Sequence, residues 1–200
     1  VSGGMEYPEF QMVAVSDCFA PQMQKIRDHY KANWNTYTDF RQMIEKENLD
    51  GVLIVTTTHA RAWITIHALN MDVDAYIEKP MCLTIEEGQA MVAAARHNKA
   101  VTQVGTQQRS IPLNNWASDL VKNGAIGKIR AVLAPNFVGP VRWPGGDPET
   151  MPQGGSPGWW DVWTNQAPLR PYRHELHHGW EKWLAYDGGG LCFGVTGWGT

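Results

Sequence analysis

Two hundred residues with 43% hydrophobic content suffice for a buried core in one or two domains. A formal charge of −3 gives no electrostatic reason to expect nucleic acid or an anionic membrane surface as a partner. No apolar run approaches the roughly 20 residues that span a bilayer. Cys18, Cys82 and Cys192 are widely spaced and form no metal-ligand pattern, as expected of buried thiols in a reducing compartment; a cytoplasmic place is expected, with an exported form left open.

The chain opens on Val1-Ser2-Gly3-Gly4, with no initiator methionine and none of the segments of a signal peptide. Residues 10 to 17, FQMVAVSD, alternate and close on Asp17, which suits a strand. In a dinucleotide fold an acid at this place accepts hydrogen bonds from the adenosine ribose and repels a 2′-phosphate, favouring NAD over NADP. Asp17 is equally placed to cap the helix expected from about Pro21 to residue 32. The Gly-x-Gly-x-x-Gly turn of such folds is not present, since Gly3-Gly4 has no strand before it. The first strand and its turn are therefore expected upstream of Val1, and the sequence reads as a fragment.

A further helix is expected from Asp39, as N-cap, to about Glu47. Then comes DGVLIVTTTHARAWITIHALNMDVDAYIEKP, residues 50 to 80. Val52 to Val55 predicts a buried parallel strand. Ala62, Ile66 and Leu69 share one side of a helix, and Ala75-Tyr76-Ile77 gives a second strand, together the size of a βαβ unit. Ligands of such sheets sit outside the carboxyl ends of the strands, where Thr56-Thr57-Thr58-His59 and Glu78-Lys79-Pro80 fall. Thr84 to Glu87 is a capping box opening a helix to about Asn98. A strand at 101 to 104, then Gly105-Thr106-Gln107-Gln108-Arg109 and a helix over 113 to 122, complete an alternating α/β pattern.

Near Gly127 the character changes. Lys128 to Val138 predicts one long strand, residues 139 to 158 are dense in Pro and Gly, and the region to 187 is rich in Trp, His and Arg. Of ten tryptophans, eight lie from Trp116 onward. They serve either as core packing or as flat platforms for sugar rings. The reading is a doubly wound parallel α/β domain over 1–126, lacking its first strand, followed by the start of an α+β sheet domain over 127–200.

The segment from Thr56 to Pro80, followed by a helix and then VGTQQR, resembles the glucose-fructose oxidoreductase and inositol dehydrogenase (Gfo/Idh/MocA) family, whose signature is Glu-Lys-Pro. The resemblance implies a Rossmann domain that binds a nicotinamide dinucleotide, with NAD favoured over NADP by Asp17, and transfers hydride to or from a hydroxyl carbon of a sugar, cyclitol or related polyol. Lys79 is then the catalytic residue, its ammonium favouring the alkoxide and relaying the proton, while a solvated surface lysine is the plain alternative. Glu78 orients it, and Asp17, Thr56, Thr57, His59, Glu78, Lys79 and Gln108 belong to the cofactor pocket. Arg109, in the family's Gly-x-x-x-Arg stretch, is a candidate clamp for substrate.

Residues 157 to 190 are similar to a segment that a sugar-active branch places over its active site, which puts Trp159, Trp160, Arg170 and Tyr172 toward the sugar. The close histidines His174, His177 and His178 match no known metal-ligand pattern, and no metal is expected. The family's Asp before a late His is replaced here by Gly197. That departure keeps two alternatives open: redox-assisted glycoside cleavage through oxidation and elimination, and a non-catalytic sugar-binding subunit. The resemblance also implies a homo-oligomer.

Overall fold

The computed structural model describes residues 8–133 and 141–187. Gly3-Gly4, the end of the strand expected over 128–138, and Gly197 lie outside the described residues. The first part alternates strand and helix: β1 (Ala14–Ser16), α1 (Ala20–Tyr30), β2 (Asn35–Tyr37), α2 (Phe40–Lys46), β3 (Gly51–Ile54), α3 (Thr58–Asn70), β4 (Asp74–Glu78), α4 (Ile85–Asn98), β5 (Thr102–Gly105) and α5 (Pro112–Lys122). All strand pairs are parallel, in two blocks, β1-β2 and β3-β4-β5.

Local chemistry explains most of the boundaries. Asp39 caps α2 by accepting the Arg41 N–H at 2.9 Å. At α4 the Thr84 hydroxyl accepts the Glu87 N–H while Glu87 reaches back to the Thr84 N–H, the reciprocal box read from the sequence. β2 has only Asn-Thr-Tyr to announce it, and it is fixed by pairing with β1 rather than by a pattern of its own.

The core lies on one face of the three-stranded block. Ile54, Ala75 and Ile77 point from the strands onto Ala62 and Leu69 of α3 and Met91 of α4. This corrects the expectation that Val52 to Val55 is buried throughout: Leu53 is 40% and Val55 54% exposed. The cause is that α3 and α4 pack on the same side, and nothing among the described residues covers the other face. α3 is buried on almost every side at its start, where Thr58, His59, Ala60, Arg61 and Ala62 are all buried.

The second part is largely irregular. Residues 128–133 form no strand, and Val132 and Leu133 are almost fully exposed. Further on are two short helices, α6 (Trp159–Thr164) and α7 (His174–His178). Trp159, Trp160, Tyr172, Leu176 and Tyr186 make their own aromatic core, joined to the first part where Phe19 meets Trp159 at 4.8 Å between rings. Gly155 is needed for this packing, because a Cβ there would lie 2.1 Å from Trp159 Cδ1.

Leu69→Ala, which empties a fully buried position, is expected to cost about 2–5 kcal/mol in urea denaturation, whereas Leu53→Ala on the open face stays within about 0.5–1 kcal/mol.

Candidate functional site

A cavity of about 840 Å³ opens between the two strand blocks, at the carboxyl ends of β1, β2 and β3. Its size is that of a small-molecule site, and it lies outside the carboxyl ends of parallel strands, where such sheets bind their ligands. The Trp-rich part supplies its far wall through Trp163, His177 and Trp180.

Asp17 lines the cavity. Its backbone N–H donates to the Tyr37 carbonyl at 3.1 Å, and its Oδ1 accepts the Phe19 N–H at 2.8 Å. The carboxylate thus secures the turn before α1, whose N-cap is Phe19 rather than Asp17, and lines the cavity. Burial pushes its carboxyl above the usual range, and hydrogen bonds from Phe19 and Cys18 pull back. The Cys18 thiol is pushed up to about 12 by burial and by the Asp17 charge, so it stays protonated.

Thr56 and Thr57 line the cavity at the end of β3. Beside them lies a residue that sequence reasoning missed. Arg61, 3% exposed, donates from Nε and Nη2 to the Thr56 carbonyl at 2.9 and 2.6 Å and from Nη1 to the Pro80 carbonyl. Burial lowers its pKa to about 10, while the Glu78 and Asp187 carboxylates support its charge. A signal was available in the sequence: a cation in the first turn of a helix opposes the helix dipole and needs another partner.

Glu78 and Lys79 follow at the end of β4. The Lys79 N–H donates to Glu78 Oε2 at 2.8 Å, and Gln107 Nε2 donates to both Glu78 oxygens at 2.9 Å. Gly105 lets the carboxylate lie over β5, since a Cβ there would be 2.6 Å from Glu78 Oε2. Burial lowers the Lys79 pKa first of all; Glu78 and Asp187 raise it and Arg61 lowers it further. Lys79 is not part of the cavity lining, and Arg61 connects the two regions by lining the cavity and acting on Lys79 through its charge.

Other candidates are placed elsewhere. The His59 ring is buried, with Nε2 donating to the Trp163 carbonyl at 2.9 Å, while its backbone N–H donates to the Tyr186 carbonyl at 3.2 Å. It clamps the two parts together and does not line the cavity. Gln108 accepts the Asn114 amide at 2.9 Å through its side chain, and Arg109 is exposed; neither reaches the cavity.

Trp159, Trp160 and Tyr172 are 4%, 6% and 6% exposed, and their faces are taken by one another and by His177. Arg170 sits 5.2 Å over the Trp143 ring, beside the Tyr186 hydroxyl. The structure thus turns these four inward, and the cavity-lining tryptophans are Trp63, Trp163 and Trp180. Among the described residues no helix is long and apolar enough to cross a membrane.

The sequence model of one protein family, described as "Oxidoreductase family, NAD-binding Rossmann fold", matches residues 4–106. An inositol 2-dehydrogenase of Salmonella typhimurium is 27% identical over 119 residues, 59% of this chain and 35% of that protein. A levoglucosan dehydrogenase of Pseudarthrobacter phenanthrenivorans is 33% identical over 95 residues, 48% of this chain and 24% of that one. Among solved structures, the myo-inositol 2-dehydrogenase of Lactobacillus plantarum superposes with a TM-score of 0.58 at 28% identity, covering 63% of this chain and 37% of that one. The chain spans about a third or less of the length of these relatives.

The histidines at the junction give it a pH dependence. Burial holds His59 below the ordinary histidine range and, with His178 and His174 adding, takes His177 down to about 4. The unfolded chain takes up these protons near 6.5, before the folded one does, so stability is lost as pH falls from about 6.5 toward 4. Acid titration followed by tryptophan emission should show this loss, and His177→Phe, which keeps a ring against Trp159 and Trp163, should move the transition to lower pH.

Proposed function

This chain belongs to the oxidoreductase family with an NAD-binding Rossmann fold, and from that premise we propose that the protein carrying it is an NAD-dependent dehydrogenase of a cyclitol, sugar or related polyol. The observation that carries the proposal is the junction at Arg61, which lines the nucleotide-sized cavity beside Thr56 and acts electrostatically on Lys79. The names of the inositol and levoglucosan dehydrogenases that resemble it point to the substrate class.

The residues present suit the cofactor. Asp17, poorly solvated and at the end of β1, is placed to accept the adenosine ribose hydroxyls, and Thr56 and Thr57 lie along the cavity wall at the end of β3. NAD, when bound, supplies the acceptor for a hydride. Everything else falls to the chain. Lys79 hydrogen-bonds the substrate hydroxyl, and its charge favours the alkoxide; its lowered pKa eases transfer of the proton. Glu78, held by Gln107 and by the Lys79 N–H, fixes where that ammonium stands. In this reading residues 1–126 carry the nucleotide and 127–200 begin the part that receives substrate.

The test is NADH formation by the intact protein on a panel of inositols, monosaccharides and anhydrosugars. Lys79→Ala is expected to lower kcat by roughly 10²–10⁴-fold while NAD affinity in calorimetry stays within about twofold. Undiminished turnover in that variant would remove Lys79 from the chemistry, and glycoside cleavage without NADH would replace the dehydrogenase reading.

A further inference from the structure

The corner of the cavity formed by the ends of β1 and β2 holds an arrangement that hydride transfer does not require. Ser16 pairs with Tyr37, and the Asp17 N–H donates to the Tyr37 carbonyl, so the chain at Asp17 runs alongside Thr38 and Asp39. Asp17, Asp39 and Arg41 all line the cavity, with Lys25 and His29 of α1 nearby on the same wall. If the adenosine ribose of a nucleotide rested on Asp17, a 2′-phosphate would need a cation in the same cavity, and a nearby arginine is the group that accommodates one.

Arg41 is that arginine, and it is already engaged. Its Nε donates to Asp39 Oδ1 and Oδ2 at 2.9 and 3.2 Å, and its Nη2 meets Oδ2 at 2.6 Å, a two-pronged pair. Asp39 is itself held in place, because Oδ1 also accepts the Arg41 N–H as the N-cap of α2. The guanidinium further lies 5.6 Å over the Trp63 ring, which packs edge-on against Phe40 at 5.0 Å. Mutual attraction in the pair holds the Asp39 carboxyl low and the Arg41 guanidinium high, so both stay charged throughout the neutral range.

We propose that Asp39 is a second determinant of nucleotide choice: it occupies the Arg41 guanidinium that a 2′-phosphate would otherwise recruit, while Asp17 repels that phosphate directly. The proposal rests on the dinucleotide reading above and adds a residue to it. Arg41 is half exposed, and exposed ion pairs are weak, so the lock is one that a single substitution opens.

The experiment compares dissociation constants for NAD and NADP, by calorimetry on the intact protein, in the wild type, Asp39→Asn and Asp39→Asn/Arg41→Ala. Asn and Ser both keep an N-cap acceptor, so Asp39→Ser serves as a second version of the first variant should Asn perturb the fold. The ratio of NADP to NAD affinity is expected to rise roughly tenfold in Asp39→Asn, the effect of about one charge-assisted hydrogen bond. Arg41→Ala in that background is expected to abolish the gain. An unmoved NADP-to-NAD ratio, or a gain that survives Arg41→Ala, would overturn the proposal while leaving NAD binding intact. Binding of neither nucleotide by any form would overturn the dinucleotide reading itself, and this proposal with it.

Discussion

The guanidinium of Arg61 is the constraint on which the site depends. Carbonyls at the carboxyl ends of parallel strands run out of ladder partners, and a buried one without a donor is costly. Arg61 supplies donors to the Thr56 carbonyl after β3 and to the Pro80 carbonyl after β4, so one planar group sets the separation of two chain ends. Burying a cation has its own cost, seen in the fall of its pKa to about 10, yet it remains charged at neutral pH. The Glu78 and Asp187 carboxylates offset that cost from opposite parts of the chain.

The second part of the chain is therefore not an appendage. Asp187, fully buried, lends charge to Arg61 and Lys79, and the neighbouring Tyr186 carbonyl takes the His59 N–H. The Trp163 carbonyl takes the His59 ring at Nε2. Disturbing the aromatic core around Trp160 and Tyr186 would thus reach the end of β3 through His59 and the end of β4 through Asp187. His59 couples the aromatic core to the sheet, which is why its ring is spent on a backbone carbonyl.

What the sequence made legible was local. The βαβ unit over 50–80, the capping box at Thr84 and the Asp39 cap each depend on residues within a few positions of one another, and each formed. Interactions that join distant segments were not legible. Nothing near Trp159 and Trp160 says that their faces are covered by Tyr172 and His177, so the sequence leaves core packing and an open platform undecided for them. β2 and the failure of 128–133 to form a strand have the same origin, since a strand exists by virtue of a partner. The exposure of Leu53 and Val55 is of this kind too, because an apolar run does not reveal which of its faces a helix will cover.

The charges gathered at this end of the sheet share one property. Asp17, Arg61 and Lys79 differ in sign and in position, yet in each the largest influence is burial disfavouring the charged form. A fold selected for stability alone gains by replacing such groups, whereas a binding site gains by keeping them. In the proposed reading, a ribose hydroxyl on Asp17 would give that carboxylate a hydrogen bond where burial leaves it poorly solvated. A ligand held by such groups would offset part of the stability that burying their charge costs the fold.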